Sequence, residues 1–475
     1  MESTFFKQEK KVLRQLERGF DVYLEDVREA VRQPSISKTG HGVEKMAEWV
    51  LFYLRRLGAI ARLVPGERFP IVEGELSAPG ARKMLLFYGL YDVQPADEPG
   101  WISPPFEAAL YPTSDGGSKI VGRGTFNSKG PMVGFFTVLR AFEEASVPLP
   151  VNFRFIIEGE EEIGSPSMES YVRHNLDTLR KCDAAFIPYF ATNSCGKTQL
   201  RLGFKGIIFL EFSVQGGSWG GPTNHDVHPM HTAWIHNPTW ELLSALTSLQ
   251  AQSGRLTIDG LDRYITGPSQ EDRQLIENLV STFDQETWLK ELGVNCFKYP
   301  ADPVNLLTHL LFDPTLNIQA FWVGRTKPGE EPPTVMSMGA VAHADLRLVP
   351  NMDVKTTLEC LRAHLDRRGF RHVYVRVKSA YPWSKCSIRE PVVKSMITAC
   401  KKHALSVEVH PFHAGAAPLY LFTDIVGIPF AFGGLGHGML AHGPNEYITL
   451  EGLRLFQRSI TSFLFEFAKE MKKAP

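Results

Sequence analysis

Four short apolar runs, each ending in polar or glycine-rich residues, constrain this chain more than any other feature. They are Met84–Tyr88 before "GLYD", Phe153–Ile157 before "EGEEEIGS", Ala184–Ile187 before "PYF", and Ile428–Phe432 before "GGLGHGMLAHGPNEY". Segments with helical spacing of apolar positions lie before and between them, at 8–32, 43–57, Met132–Glu144 and Ser167–Asn175. Continuous apolar strands alternating with helices predict a parallel-rich sheet between helices. Ligands of such sheets bind beyond the carboxyl ends of the strands, and the unusual polar clusters fall there.

Between about 206 and 380 the pattern changes. "GIIFLEFSVQGG" alternates like a strand exposed on one face, and helical patterns follow near 237–250 and 270–292. "GAVAHADLRLVPNMD" reads as a strand, 354–368 as a helix and "HVYVRVKSA" as a further strand. The expected organisation is an α/β domain over 1–205 and 381–475, interrupted by an inserted α+β domain over 206–380.

At 475 residues, 43% hydrophobic and 22% charged, the chain has ample core for this plan. A net charge of −1 gives no electrostatic footprint for nucleic acid or an anionic membrane. The six cysteines form no C-x-x-C pair and read as reduced thiols of a cytoplasmic protein. The charged N-terminus lacks the apolar centre of a signal peptide. No run of about 18 apolar residues suggests a membrane span.

"LLFYGLYDVQPADEPGW" looks like a metal site without its ligand. A His at position 90, two residues before Asp92, would make a zinc ligand with its orienting carboxylate; Leu90 has no donor atom.

Four segments, "YDVQPADEPGWISPPFEAALYP", "VGRGTFNSKGPMVGFF", "IIEGEEEIGSPSMESYV" and "AHGPNEYITLEGL", together resemble the di-zinc exopeptidase family of carnosinase, cytosolic Cys-Gly dipeptidase, aminoacylase and carboxypeptidase G. "ADLRLVPNMD" and the "HDVH…HNP" stretch add to the match, which favours the dipeptidase branch. The resemblance implies a zinc-exopeptidase-like catalytic domain, with the insertion serving as a lid that also dimerises.

It also implies the ligand positions. One ion takes a His at 90, a bridging Asp at 127 and an Asp at 189, where this chain has Leu90, Asn127 and Tyr189. The other shares position 127 and uses Glu162 and His442, both present. An aliphatic, an amide and a phenol are poor replacements for anionic and imidazole ligands. The expectation is therefore that no di-zinc centre forms. A working site without a cofactor is favoured over one retaining a single divalent ion, zinc or manganese, at Glu162 and His442.

Glu161 matches the family's general base. Asp92, Glu161 and Glu162 are expected to crowd together, with at least one pKa raised, and Lys129, Arg123 and the Tyr189 hydroxyl serve as candidate counter-groups. His228 matches the lid histidine that reaches the partner subunit's site and polarises a carbonyl. Pro229-Met230 replace the family's Ser-Gly after it. Arg347 matches the arginine that grips a substrate carboxylate. Gly415, within "AGAAP", falls in the family's glycine-rich substrate loop, and His437 lies close in sequence to His442.

Three readings follow. The first is a metal-free enzyme acting on a small carboxylate-bearing amide, peptide or amino-acid derivative by hydrolysis, elimination or isomerisation. Its residues are Glu161, Asp92, Tyr189 and His228 in catalysis, with Arg347, Asn127, His442 and Gly415 in binding. The second is a single-metal amidohydrolase or dipeptidase, and the third a catalytically silent binding protein. The expected partners are a small-molecule substrate and a second copy of the chain.

Overall fold

The structure, a computed structural model, describes residues 2–299, 302–324, 331, 333–404 and 406–470. The chain divides into two compact units, one of Met1–Leu202, Cys386–His410 and Leu421–Pro475, the other of Gly203–Lys385 and Pro411–Tyr420. Residues 411–420, which the sequence pattern placed in the α/β domain, belong to the second unit. Their strand His413–Ala416 pairs in parallel with Gly203–Gln215.

The first unit is built on a six-stranded sheet in the order Ile60–Val64, Ile71–Leu76, Asn152–Glu158, Met84–Leu90, Ala184–Pro188, Phe430–Gly433. The last four strands run parallel and the first two antiparallel. Met84–Leu90 has buried residues at five consecutive positions, Leu85–Gly89, as expected of a strand covered on both faces. Phenylalanines join sheet to helices. The Phe87 ring lies 4.4 Å from Phe135 of helix Lys129–Glu144, and Phe186 lies 5.1 Å from Phe463 of helix Leu450–Lys469. Each fully buried phenylalanine of this kind contributes about 1.5–3 kcal/mol.

The expected helix at 8–32 is two helices, Glu2–Arg18 and Phe20–Arg32. They meet at Gly19, where a Cβ would lie 2.7 Å from the Tyr23 ring. The pattern at 270–292 likewise divides into Gln270–Val280 and Gln285–Leu292, because the Asp284 side chain accepts from the Glu286 and Thr287 amides and starts a new helix.

The second unit carries an antiparallel sheet in the order Thr315–Val323, Gly339–Leu348, Gly203–Gln215, Tyr374–Tyr381. Helices Pro238–Ser248 and Val354–Arg367 bury one face, around Ile208, Leu210, Phe212, Leu242 and Leu361. No helix among the described residues is long and apolar enough to cross a membrane.

Candidate active site

Strand ends of the first unit assemble the site. Leu90 ends Met84–Leu90, Glu158 ends Asn152–Glu158 and Tyr189 follows Ala184–Pro188. Beyond Glu158 the chain passes Gly159, where a Cβ would lie 2.3 Å from the Tyr91 ring, and forms the tight turn Glu161–Ile163. Asp92 is fully buried beneath that turn; its carboxylate accepts from the Glu161 amide at 3.3 Å and the Glu162 amide at 3.0 Å. With Leu90 beside it, the carboxylate has no imidazole to orient and holds the acidic turn instead.

The carboxylates crowd as charge counting predicts. Burial, then the negative charge of Glu162, pushes Asp92 up to about 7. Burial followed by Glu162, Asp92 and Glu158 raises Glu161 well above the ordinary carboxylate range. Sequence reasoning missed Glu158. It is 1% exposed, accepts from the Tyr88 hydroxyl and from Ser165 Oγ at 2.9 Å, and burial raises it to about 8. Glu160 was missed too. Its carboxylate takes the Arg68 and Phe69 amides at 2.6 and 2.8 Å and the Ser167 amide at 3.2 Å, tying the neighbouring loop to the acidic turn.

Asn127, Glu162 and His442 come together. Asn127 Nδ2 donates to Glu162 Oε1 at 2.9 Å and lies 3.0 Å from His442 Nε2, which is itself 3.1 Å from Glu162 Oε1. Hydrogen bonding to Glu162 raises His442 above its ordinary pKa. Gln94 Nε2 donates to the other Glu162 oxygen at 2.8 Å.

A buried clamp positions Asn127. Glu446 is 0% exposed. Its Oε1 takes the Phe126 and Asn127 amides at 2.9 and 2.8 Å; its Oε2 takes Arg123 Nη1 at 3.0 Å and the Gly124 amide at 3.1 Å. The only sequence signal for this clamp was its place four residues after His442. Arg123 is thereby committed to Glu446 and Glu98 and to the Pro95 and Gly443 carbonyls rather than to the acidic turn. Lys129, also fully buried, donates to the Gln33 carbonyl, and burial lowers it to about 7. The helix carrying it packs so closely that a Cβ on Gly130 would lie 1.8 Å from the Thr125 carbonyl oxygen.

Tyr189 packs between Phe126 and Phe432, each ring centroid 5.0 Å away, and burial raises its phenol. His437 is satisfied by the Thr192 carbonyl at 3.0 Å and the Tyr447 hydroxyl at 3.2 Å, so a structural role accounts for it.

The second unit holds the other three predicted residues. His228 is exposed, and its Nδ1 accepts from the Met230 amide at 3.2 Å, a tautomer that turns Nε2–H into a donor. Arg347 donates through Nε to Asp345 at 2.9 Å. Asp345 also takes Asn317 and Gln319, which fixes its orientation. The Gly415 amide donates to His413 Nδ1 at 3.0 Å, and a Cβ there would lie 2.7 Å from the His413 ring.

Comparison with known proteins places this geometry. The profile of peptidase family M20/M25/M40 matches residues 86–465. The Cys-Gly metallodipeptidase dug1 of Schizosaccharomyces pombe is 26% identical over 364 residues, 73% of each chain. The Beta-Ala-His dipeptidase of Rattus norvegicus is 28% identical over 330 residues, 66% of this chain and 63% of that protein. Among solved structures, the M20 family metallo-carboxypeptidase Sso-CP2 from Sulfolobus solfataricus superposes with a TM-score of 0.84 at 30% identity, covering 94% of this chain and 99% of its own.

These relatives correct one expectation. Counting substituted ligands led to a site working without a cofactor, whereas two of these similar proteins are metallopeptidases by name. The surviving geometry fits that correction. Two ligand atoms bound tetrahedrally at about 2.1 Å lie roughly 3.4 Å apart, close to the 3.1 Å between Glu162 Oε1 and His442 Nε2. Turning the Asn127 amide over would present its oxygen to the same point. Among the described residues no three His, Cys, Asp or Glu side chains are placed to hold a metal ion, so the amide or water has to complete such a set. Leu90 and the neutral phenol of Tyr189 add nothing to it. The match over 86–465, borne out by the fold, shows that the chain belongs to peptidase family M20/M25/M40.

Proposed function

We propose that the chain is a dipeptidase-like hydrolase that cleaves the amide bond of a small, carboxylate-bearing peptide or amino-acid derivative, with one divalent ion held by Glu162, His442 and the Asn127 amide. The observation carrying this reading is the convergence of those three groups directly beside Glu161, a carboxyl raised well above its usual range. The ion, when bound, acidifies water and polarises a carbonyl.

The chain's own residues do the rest. Glu161 takes the proton from the attacking water and delivers it to the leaving nitrogen, a task suited to a carboxyl that burial and its acidic neighbours raise above the ordinary range. Asp92 fixes Glu161 and Glu162 through their backbone amides. The His228 Nε2–H donates to the developing oxyanion, from a second copy of the chain in the dimer that the family resemblance implies. Arg347, held by Asp345, grips the substrate carboxylate through its terminal nitrogens, and Gly415 lines the same substrate.

The test is hydrolysis of a dipeptide and N-acyl amino acid panel before and after EDTA. Activity lost to the chelator and restored by zinc or manganese supports the reading, as does its abolition by Glu161→Gln with metal content unchanged. Full turnover after exhaustive chelation, or an active Glu161→Gln variant, refutes it.

A further inference from the structure

Arg201 ends the short strand Thr198–Arg201, and its guanidinium carbon lies 5.4 Å from the centroid of the Tyr189 ring. The residue is half-buried, yet among the described residues it has no ion-pair partner. In the first unit Arg123 pairs with Glu446 and Glu98 and Arg140 with Asp26 and Glu144, whereas among the described residues Arg454 meets only the Phe20 ring and Arg201 only the Tyr189 ring and hydroxyl. A sheltered guanidinium facing no carboxylate is poised to receive one from a ligand.

Its surroundings belong to the candidate active site. Tyr189 stands where the resemblance implies an aspartate ligand, so a negative charge has been exchanged for a neutral phenol beside a cation. Tyr189 packs on Phe126, the neighbour of Asn127 in sequence, and Glu446 acts electrostatically on Tyr189 while bonding the Asn127 amide. The charge of this corner has changed from anionic to cationic, within a wall formed by the Phe126, Tyr189 and Phe432 rings.

We propose that Arg201 and the Tyr189 hydroxyl form a carboxylate-binding subsite, which takes a second, side-chain carboxylate of the peptide or N-acyl amino acid substrate. This rests on the hydrolase reading above and deepens it: the substrate is acidic, with a side-chain carboxylate that Arg201 receives. Arg201 donates to the Tyr189 oxygen, which leaves its other N–H groups and the phenol O–H as donors for a carboxylate. One cation balances one carboxylate. A phosphate dianion would leave net negative charge in a corner that already feels Glu446, so a monoanion is the matching class.

The experiment is equilibrium binding to full-length protein carrying Glu161→Gln, which separates ligand recognition from turnover. The probes are two matched dipeptide pairs, Asp-Ala against Asn-Ala and Ala-Asp against Ala-Asn. The acidic member of one pair is expected to bind about tenfold tighter than its amide, the scale of one good charge-assisted contact. Arg201→Gln is expected to erase that preference, while Tyr189→Phe and Arg201→Lys reduce it to a few-fold. Equal affinity for acid and amide, absence of binding, or a preference that survives Arg201→Gln overturns the proposal. If Arg201→Gln fails to fold, Arg201→Lys decides: an undiminished preference overturns the proposal. An acid preference in this binding assay together with no hydrolysis of the same dipeptides by the protein with Glu161 intact would fault the hydrolase reading alone.

Discussion

Replacing Glu446 with Gln tests whether the buried clamp sets the position of Asn127. The carboxylate accepts four hydrogen bonds and is fully buried. Glutamine has nearly the same shape but only one acceptor oxygen. If that oxygen keeps the Phe126 and Asn127 amides, the new NH₂ group points at Arg123 Nη1 and the Gly124 amide, setting donor against donor. Two bonds are lost, one of them to a charged group, and Arg123 keeps only the partly exposed Glu98 and two carbonyls. Charged hydrogen bonds contribute about 1.5–3 kcal/mol and neutral ones about 1. Breaking one side of a buried pair costs about 3–5 kcal/mol. The remaining partners of Arg123 place the loss at the lower end, about 3 kcal/mol.

Hydrogen–deuterium exchange reads this most directly. Opening of the 122–127 loop should become roughly 150-fold more frequent, since each 1.4 kcal/mol is a factor of ten. The amides of Gly124, Phe126 and Asn127 should lose protection together, and the urea midpoint of the transition containing them should fall. A loss below about 1 kcal/mol, or unchanged exchange at those three amides, would refute the idea that this carboxylate organises the loop.

Two further predictions concern charge. Asn127→Asp should bind zinc at least tenfold more tightly by calorimetry, because an anionic oxygen replaces an amide. In EDTA the same variant should melt earlier than the parent, since two carboxylates then face each other across the present 2.9 Å contact. Unchanged affinity would mean that position 127 does not face the ion. Away from the site, burial lowers His403 to about 4, and it pairs with Ser462 at 2.7 Å. Below its unfolded value near 6.5, the unfolded chain takes a proton that the folded chain refuses. Stability should therefore fall by about 1–2 kcal/mol, after allowance for partial exposure, between pH 6.5 and 4, and level off below. His403→Gln should flatten that slope in urea titrations; an unaltered slope would assign it to other groups.

The parallel strands were legible because burial on both faces leaves uninterrupted apolar runs, as at Met84–Tyr88 and Ala184–Ile187. The break at Gly19 was not, since it depends on the Tyr23 ring occupying the space of a missing Cβ. The small sheet of Ala109–Pro112, Ser118–Val121, Gly438–Met439 and Tyr447–Thr449 was also missed, because strands of two to four residues are too short to show alternation. Within the site, residue types at Glu161, Glu162 and His442 pointed to positions that the structure brings together. The groups holding them did not stand out, because Glu158, Glu160 and Glu446 look in sequence like solvated acids. Their roles come from burial alone.

The substitutions at 90, 127 and 189 therefore differ in consequence. Leu90 removes a donor, yet Asp92 beneath it remains useful by holding the Glu161 and Glu162 amides. Asn127 weakens a shared ligand while keeping its contacts with Glu162 and His442. Tyr189 goes furthest, because it puts a neutral ring beside an unpaired cation at Arg201. Loss of function alone would place no requirement on the Glu446 clamp, with its four partners around the loop carrying Asn127. The proposed pocket, with one ion at Glu162 and His442 and Arg201 meeting the substrate in place of a second ion, would account for both the clamp and the direction of the charge change.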